Sequence, residues 1–328
     1  MKAFQLTGQR TFESVTVPDP EPEEGQVLLK IEHVSICGSD THLNYEPALP
    51  EESYPSAPGL PCHEIAGTIV ESRNPDHPVG GRAILLPSFT PAAGMTSGGL
   101  AELIAGEKII PLPDRGNTSD WVMCQPAGTA LQASREWGIS NDKTFVVIGQ
   151  GAIGLSTTAI AYRMGAVRVI AVDLEDYRLD MASRLGAEIT LNADRDDVLE
   201  AVMQATDGKG VDCVVEASGD PDGINMALSL VRQRGTIIGF SLVTGLEPTV
   251  MRHQEWMRKE VRILPTNAAG AADPVAPIRD MVGLCDRGWW DPAELITHRV
   301  GWDQIPDAYE MYADRADGVI KVAIAIEE

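Results

Sequence analysis

The sequence predicts an α/β protein in two parts: a mostly β N-terminal portion, then a doubly wound parallel sheet covered by helices on both faces. Three observations predict it. The stretch 144–155 joins an apolar run, Phe145 to Ile148, to Gly149, Gly151 and Gly154 in the spacing G-x-G-x-x-G, and no glycine or proline interrupts the following run to Met164. This reads as strand, tight turn and helix. Beyond it, β-branched runs alternate with helical stretches at the spacing of a parallel sheet. Before it, roughly the first 115 residues are mostly strand-like, with apolar and polar positions alternating between proline-rich breaks.

Taken in order, residues 1 to about 35 alternate clearly in Gln26 to Val34, with Pro18, Pro20 and Pro22 separating strands. Residues 37–64 hold Pro47, Pro50, Pro55, Pro58 and Pro61 and read as loop. Strands are expected at 65–71 and 82–86, joined by the turn-rich 74–81. Helices are expected within 121–137, where Pro126 and Gly128 are the interior breakers. After the glycine motif come a strand at 167–172 and helices near 177–185, 196–205 and 222–232. They alternate with strands at 188–191, 212–215 and 236–240, and a strand near 261–264 completes the sheet. A helix at 275–287 and a strand within 318–326 end the expected order.

The glycine spacing has a physical reason. The first glycine permits a sharp turn, the second lets a pyrophosphate approach the backbone, and the third lets helix and strand pack closely. The phosphates then face the free N–H groups of a helix N-terminus. Gly149, Gln150, Gly151, Ala152, Ile153 and Gly154 are therefore candidate cofactor contacts. The following strand ends in Asp173, about 20 residues beyond the glycines, where a carboxylate accepts hydrogen bonds from the adenosine ribose hydroxyls. A 2′-phosphate would meet like charge there, so the expected cofactor is NAD rather than NADP.

With 328 residues the chain can bury cores in two domains, and 44% hydrophobic with 23% charged residues is ordinary for a globular protein. A formal charge of −22 leaves no basic excess to displace counterions from nucleic acid. No apolar run approaches the roughly 20 residues that a membrane helix needs. The N-terminus lacks a signal-peptide apolar core, and the expected location is the cytoplasm. Cys37, Cys62, Cys124, Cys213 and Cys285 are odd in number and form no C-x-x-C pair, which argues against a disulfide framework and leaves reduced thiols or metal ligands.

Two short clusters carry metal-capable side chains. Cys37-Gly-Ser-Asp-Thr-His42 places a thiol, a hydroxyl and an imidazole close together, and Cys62-His63-Glu64 adds three more candidates. Sulfur, imidazole and carboxylate suit zinc, and a catalytic zinc needs only three protein ligands. Composition alone leaves each cluster open between metal binding and buried thiols with satisfied histidines.

Cys37-Gly-Ser-Asp with His42, then His63-Glu64 before a glycine-containing strand, then Gly149-Gln-Gly-Ala-Ile-Gly154 and Asp173, resemble the medium-chain zinc-dependent alcohol and polyol dehydrogenases over essentially the whole chain. The closing Leu295-Ile-Thr-His-Arg299 is similar to a segment of that family's returning catalytic portion. The resemblance implies a GroES-like β-barrel catalytic domain over 1–125, a Rossmann NAD-binding domain over 126–268, and a return to the catalytic domain over 269–328. It places Cys37, His63 and Glu64 at the metal positions. Gln125-Pro126 falls where polyol dehydrogenases have Glu-Pro and alcohol dehydrogenases supply a cysteine. Gln125 is therefore the implied fourth ligand, with neighbouring Cys124 the alternative.

The family usually has glycine where Cys62 stands, and many relatives carry a four-cysteine structural-zinc lobe. The short segment 86–95 contains no cysteine, so one zinc per chain is expected. By resemblance, Ser39 accepts the alcohol proton, His42 relays it to solvent, Arg178 approaches the adenosine ribose, and backbone groups near Gly239, Phe240, Ser241, Thr266 and Asn267 hold the carboxamide. The implied reaction transfers hydride between an alcohol of the polyol, sugar or cyclitol kind and NAD, in a homo-oligomer. Two competing readings are a zinc-free NADPH-dependent quinone or enone reductase, and a nucleotide-binding regulatory protein without catalysis.

Overall fold

Alternation in the N-terminal segment becomes β1 (Lys2–Gly8), β2 (Thr11–Thr16) and β3 (Val27–Ser35). In β3, Val27, Leu29 and Ile31 are buried while Lys30 and Glu32 are only partly so, the period-2 signature of a sheet with one face on the core. The computed structural model describes residues 1–90, 94–241, 249–266 and 272–326, apart from the side chains of 89, 90 and 94. Two compact units emerge, one from 1–128 with 273–328, the other from 129–272.

In the first unit the proline-rich loop after β3 contains a helical turn α1 (Gly38–Asp40), a π turn over Thr41–Tyr45 and a 3-10 turn over Glu51–Ser53. Next come β4 (Glu64–Ser72), β5 (Arg82–Leu86), the short β6 (Phe89–Thr90) and β7 (Gly94–Met95), β8 (Leu103–Gly106) and β9 (Lys108–Pro111). Helix α2 (Thr118–Trp121) precedes α3 (Cys124–Trp137), within which the division between units falls. Pro126 lies in the first turn of α3, where its missing N–H costs nothing.

The second unit follows the alternating pattern. Its elements are β10 (Thr144–Ile148), α4 (Ala152–Arg163), β11 (Arg168–Asp173), α5 (Asp176–Leu185), β12 (Ile189–Asn192), α6 (Val198–Ala205), β13 (Val211–Glu216), α7 (Gly223–Leu230), β14 (Val231–Gly239), α8 (His253–Lys259) and β15 (Arg262–Pro265). All six strands are parallel, in the order β12-β11-β10-β13-β14-β15. Phe145 to Ile148 are all buried, as expected of a strand covered on both faces. The order reverses between β10 and β13, the switch point at which doubly wound sheets bind ligands.

The chain then returns to the first unit with α9 (Ala276–Asp286), β16 (His298–Val300), α10 (Ile305–Ala313) and β17 (Val322–Ala325). β16 and β17 extend a seven-stranded sheet in which β17 pairs with β3, β3 with β4 and β8, β4 with β5, and β5 with β9. No helix among the described residues is long and apolar enough to cross a membrane.

Candidate active site

The ends of three neighbouring strands make the first cluster. β3 and β4 are antiparallel, with Ser35, the last residue of β3, opposite Glu64, the first of β4. Cys37 lies two residues beyond the one strand and His63 one residue before the other. Their sulfur and ring nitrogen, with a Glu64 carboxylate oxygen, all lie within 4.8 Å of one another. It is the one such group of three or more cysteine, histidine or acidic side chains among the described residues. His63 Nδ1 bonds Asp40 Oδ1 at 2.7 Å, which leaves Nε2 for the cluster, and the Cys37 amide donates to the other Asp40 oxygen at 3.0 Å. Burial would lower the His63 pKa, but the Asp40 carboxylate and Cys37 sulfur outweigh it and hold the ring well above its ordinary value. One sulfur, one imidazole nitrogen and one carboxylate converge as zinc requires, so the donor set fits that metal.

Glu64 is 0% exposed and Lys321 1%. Lys321, immediately before β17, donates from Nζ to Glu64 Oε1 at 2.8 Å, to Oε2 at 2.6 Å and to the Ile36 carbonyl at 2.5 Å. Ser35 Oγ donates to Glu64 Oε2 as well. Burial would neutralise the lysine, but Glu64 keeps its pKa raised. The register explains the meeting, because Ala323 of β17 pairs with Ser35.

Ser39 Oγ donates to Cys37 Sγ at 3.3 Å. His42, in the π turn, pairs through Nδ1 with Glu46 Oε2 at 2.8 Å and keeps its side chain 42% exposed. Gln125 is the second residue of α3 and half-buried. Cys124, by contrast, is fully buried and stands outside the Cys37, His63 and Glu64 group. Cys62 is fully buried, with Sγ 3.6 Å from the Ser35 carbonyl, and burial raises its thiol pKa.

In the second unit, Gly149 has φ +85° and approaches so closely that an added Cβ would lie 2.6 Å from Ser218 Cα; on Gly154 it would lie 1.7 Å from the Gly149 carbonyl. Gly151 has nothing within 4 Å of that position, so its open side remains for a ligand. Gly151 caps α4, which begins at Ala152 and Ile153. Asp173 ends β11 at 9% exposure. Its Oδ2 accepts from the Gln150 amide at 2.5 Å and its Oδ1 from the Leu174 and Glu175 amides at 2.8 and 2.9 Å. The Gln150 side chain turns inward, bonding the Val147 carbonyl and Thr158. Arg178 stacks over the Tyr177 ring. The Phe240 and Ser241 amides donate to the Glu216 carbonyl, and Ser241 Oγ to the Glu216 carboxylate. Asn267 lies outside the described residues.

A family model described as alcohol dehydrogenase GroES-like domain matches residues 23–114, and one described as zinc-binding dehydrogenase matches 152–281. An L-threonine 3-dehydrogenase of Bacillus velezensis is 30% identical over 254 residues, covering 69% of this chain and 72% of the relative. The chain belongs to the zinc-type alcohol and polyol dehydrogenase family. An alcohol dehydrogenase of Cupriavidus necator is 28% identical to this dehydrogenase over 379 residues, 99% of this chain and 98% of the relative. The solved alcohol dehydrogenase of Thermus sp. ATN1 superposes with a TM-score of 0.87 at 22% identity, covering 100% of both chains, and shares the GroES-like and parallel-sheet fold. As an oxidoreductase of this family, the protein acts on CH–OH groups.

Three supporting residues of this dehydrogenase escape a local reading. Asp40 sits inside the quoted Cys37 loop, but its partner is 23 residues away. Glu216 has a signal in hindsight, a carboxylate directly after the apolar run Cys213-Val-Val215. Lys321 lies 257 residues from Glu64, and only its place as a lone cation in an apolar run marks it.

Proposed function

We propose that this dehydrogenase oxidises a secondary alcohol of the polyol, sugar or cyclitol class, with NAD as hydride acceptor and one zinc ion per chain. The observation that carries the reading is the convergence of the Cys37, His63 and Glu64 donors. Zinc held by these three, with Gln125 as fourth ligand, supplies the Lewis acidity that lowers an alcohol's pKa, and NAD supplies the hydride acceptor. Gln125 takes precedence over Cys124 because the Cys124 thiol is not among the side chains that converge with Cys37, His63 and Glu64.

The protein's own groups do the rest. Asp40 fixes the His63 ring so that Nε2 faces the metal. Ser39, one bond from the Cys37 sulfur, receives the alcohol proton, and His42, braced by Glu46 yet half exposed, carries it to solvent. Gly151 and the start of α4 receive the pyrophosphate, while Asp173 receives the ribose hydroxyls and repels a 2′-phosphate. Arg178, Phe240 and Ser241 complete the cofactor contacts. Residues 1–125 and 269–328 form the catalytic domain and 126–268 the cofactor domain. A homo-oligomer, dimer or tetramer, in the cytoplasm completes the reading, supported by family membership.

Metal analysis of the purified protein, with an alcohol panel run on NAD and NADP, tests this. One zinc per chain, chelator-sensitive activity on polyols and preference for NAD are expected. Activity that survives full removal of metal would refute the mechanism.

A further inference from the structure

A cleft of about 480 Å³ opens within the first unit, walled by Leu6 of β1, the loop 44–61 and Met95-Thr96. That volume falls within the roughly 300–1,000 Å³ of small-molecule sites. Two of its walls lead directly to the candidate active site. Pro61 is two residues before His63, at most about 7 Å of extended chain. Asn44, two residues beyond His42, donates from Nδ2 to the Ser39 carbonyl at 3.4 Å. Apolar surface from Leu49, Leu60 and Met95 accompanies the hydroxyls of Ser53 and Thr96 and the amide of Asn44. The two hydroxyls and the Asn44 carbonyl oxygen have no hydrogen-bond partner among the described residues, which leaves them free for a ligand's hydroxyls. No lining residue is charged. The sequence holds no lysine or arginine over 31–72 or 83–107, the stretches that supply all of the lining except Leu6, and none over 242–248 or 267–271, which lie outside the described residues. Arg10, whose amide bonds the Tyr45 carbonyl, has its guanidinium on Glu310 and Asp314 at 2.9 Å each. The charges nearest Ser53 in its own turn are two exposed acids, Glu51 and Glu52.

We propose that this cleft receives the hydroxyl-bearing tail of the substrate and confines the enzyme to uncharged polyols, at the expense of their phosphate esters. The inference rests on the polyol oxidation proposed above and adds which polyols are accepted. With the reacting hydroxyl at Ser39, whose carbonyl Asn44 bonds, the tail hydroxyls replace water on Asn44, Ser53 and Thr96, and the carbon chain covers Leu49 and Met95. A phosphate monoester carries about −1.5 to −2 charges at pH 7. Proteins hold such a group with arginine forks, lysines or converging amides, and the described walls offer no cation. The ester would lose hydration against uncharged surface and face Glu51 and Glu52, with no new partner to offset either cost.

The test uses the full-length, zinc-loaded protein with xylitol, ribitol and sorbitol and with their terminal monophosphates, at one ionic strength. By NAD reduction, kcat/KM for a free polyol should exceed that for its phosphate at least about a hundredfold. Thr96→Arg, which adds a cation to the lining, should narrow that ratio at least about tenfold. A second readout needs no turnover. In Ser53→Cys, with Thr96→Cys as a second reporter should the first not fold, alkylation of the introduced thiol is followed by mass spectrometry. Free polyols should slow it and the phosphates should not. A phosphate that is oxidised as well as its parent polyol, or protects as well, overturns the proposal. So does an introduced thiol that free polyols leave unprotected. If neither series reduces NAD, the proposed oxidation fails, and the protection measurement still decides what the cleft accepts.

Discussion

Glu64 is where the chemistry and the stability of the first unit meet. A carboxylate at 0% exposure is tolerable only with a partner, and Lys321 and Ser35 supply it. Removing the cation strands a buried charge, so Lys321→Met should destabilise the protein by about 3–5 kcal/mol, while Lys321→Met with Glu64→Gln should recover part of that loss. Denaturant midpoints decide, and a single-variant cost below about 1 kcal/mol would contradict the pairing. At Asp173 the prediction concerns selectivity. Asp173→Ser should reduce the ratio of kcat/KM with NAD to that with NADP at least about tenfold. Because the same carboxylate bonds the Gln150, Leu174 and Glu175 amides, some loss with both cofactors is expected too. An unchanged ratio would remove the carboxylate from cofactor choice. Cys37, His63 and Glu64, which the structure brings together, were legible because they sit in two short clusters. Lys321 was not, since sequence carries no local trace of a partner 257 residues away.

Among the elements, the turn from β10 into α4 separates two uses of glycine. Gly154 is a packing glycine, its Cβ position 1.7 Å from the Gly149 carbonyl, whereas Gly151 has open space. Gly154→Ala should therefore lower thermal stability, while Gly151→Ala should leave stability nearly intact and weaken NAD binding by about tenfold or more, read by cofactor titration. Equal NAD affinity in Gly151→Ala and wild type would show that the pyrophosphate does not pass there. The strands and helices of the parallel sheet were readable to within a few residues because each is a long periodic run with distinct ends. β8, β9, α8 and α10 were not placed from sequence. β8 and β9 are four residues each and separated by Glu107 alone. α10 opens with Pro306 at its first turn, a residue that reads as a breaker unless the helix start is already known.

For the whole molecule, the response to acid has a definite sign. His33 on β3 bonds Thr118 Oγ1 at 2.7 Å, and burial, aided by Arg299, lowers its pKa below the ordinary 6.5. Glu32 and Asp120 oppose that shift without reversing it. Below pH 6.5 the unfolded chain takes up a proton that the folded chain refuses. The stability owed to a neutral His33 is thus full above that pH and is lost as pH falls towards the folded value. Denaturation at about pH 7.5 and about pH 5.5 should show a smaller acid loss in His33→Gln than in wild type. An identical loss would place the acid sensitivity elsewhere.

The pairing of Lys321 with Glu64 also sets an order of assembly. On the ribosome, β3 and β4 emerge early, but the strand that joins them and the cation that neutralises Glu64 are translated 257 residues after that glutamate. The six-stranded sheet of the segment 129–272, by contrast, has all its strands translated before residue 273 and is free to form while the chain is still growing. The unit begun first is therefore finished last, and its nascent form carries a Glu64 carboxylate without its cation and an uncapped sheet edge until β17 arrives.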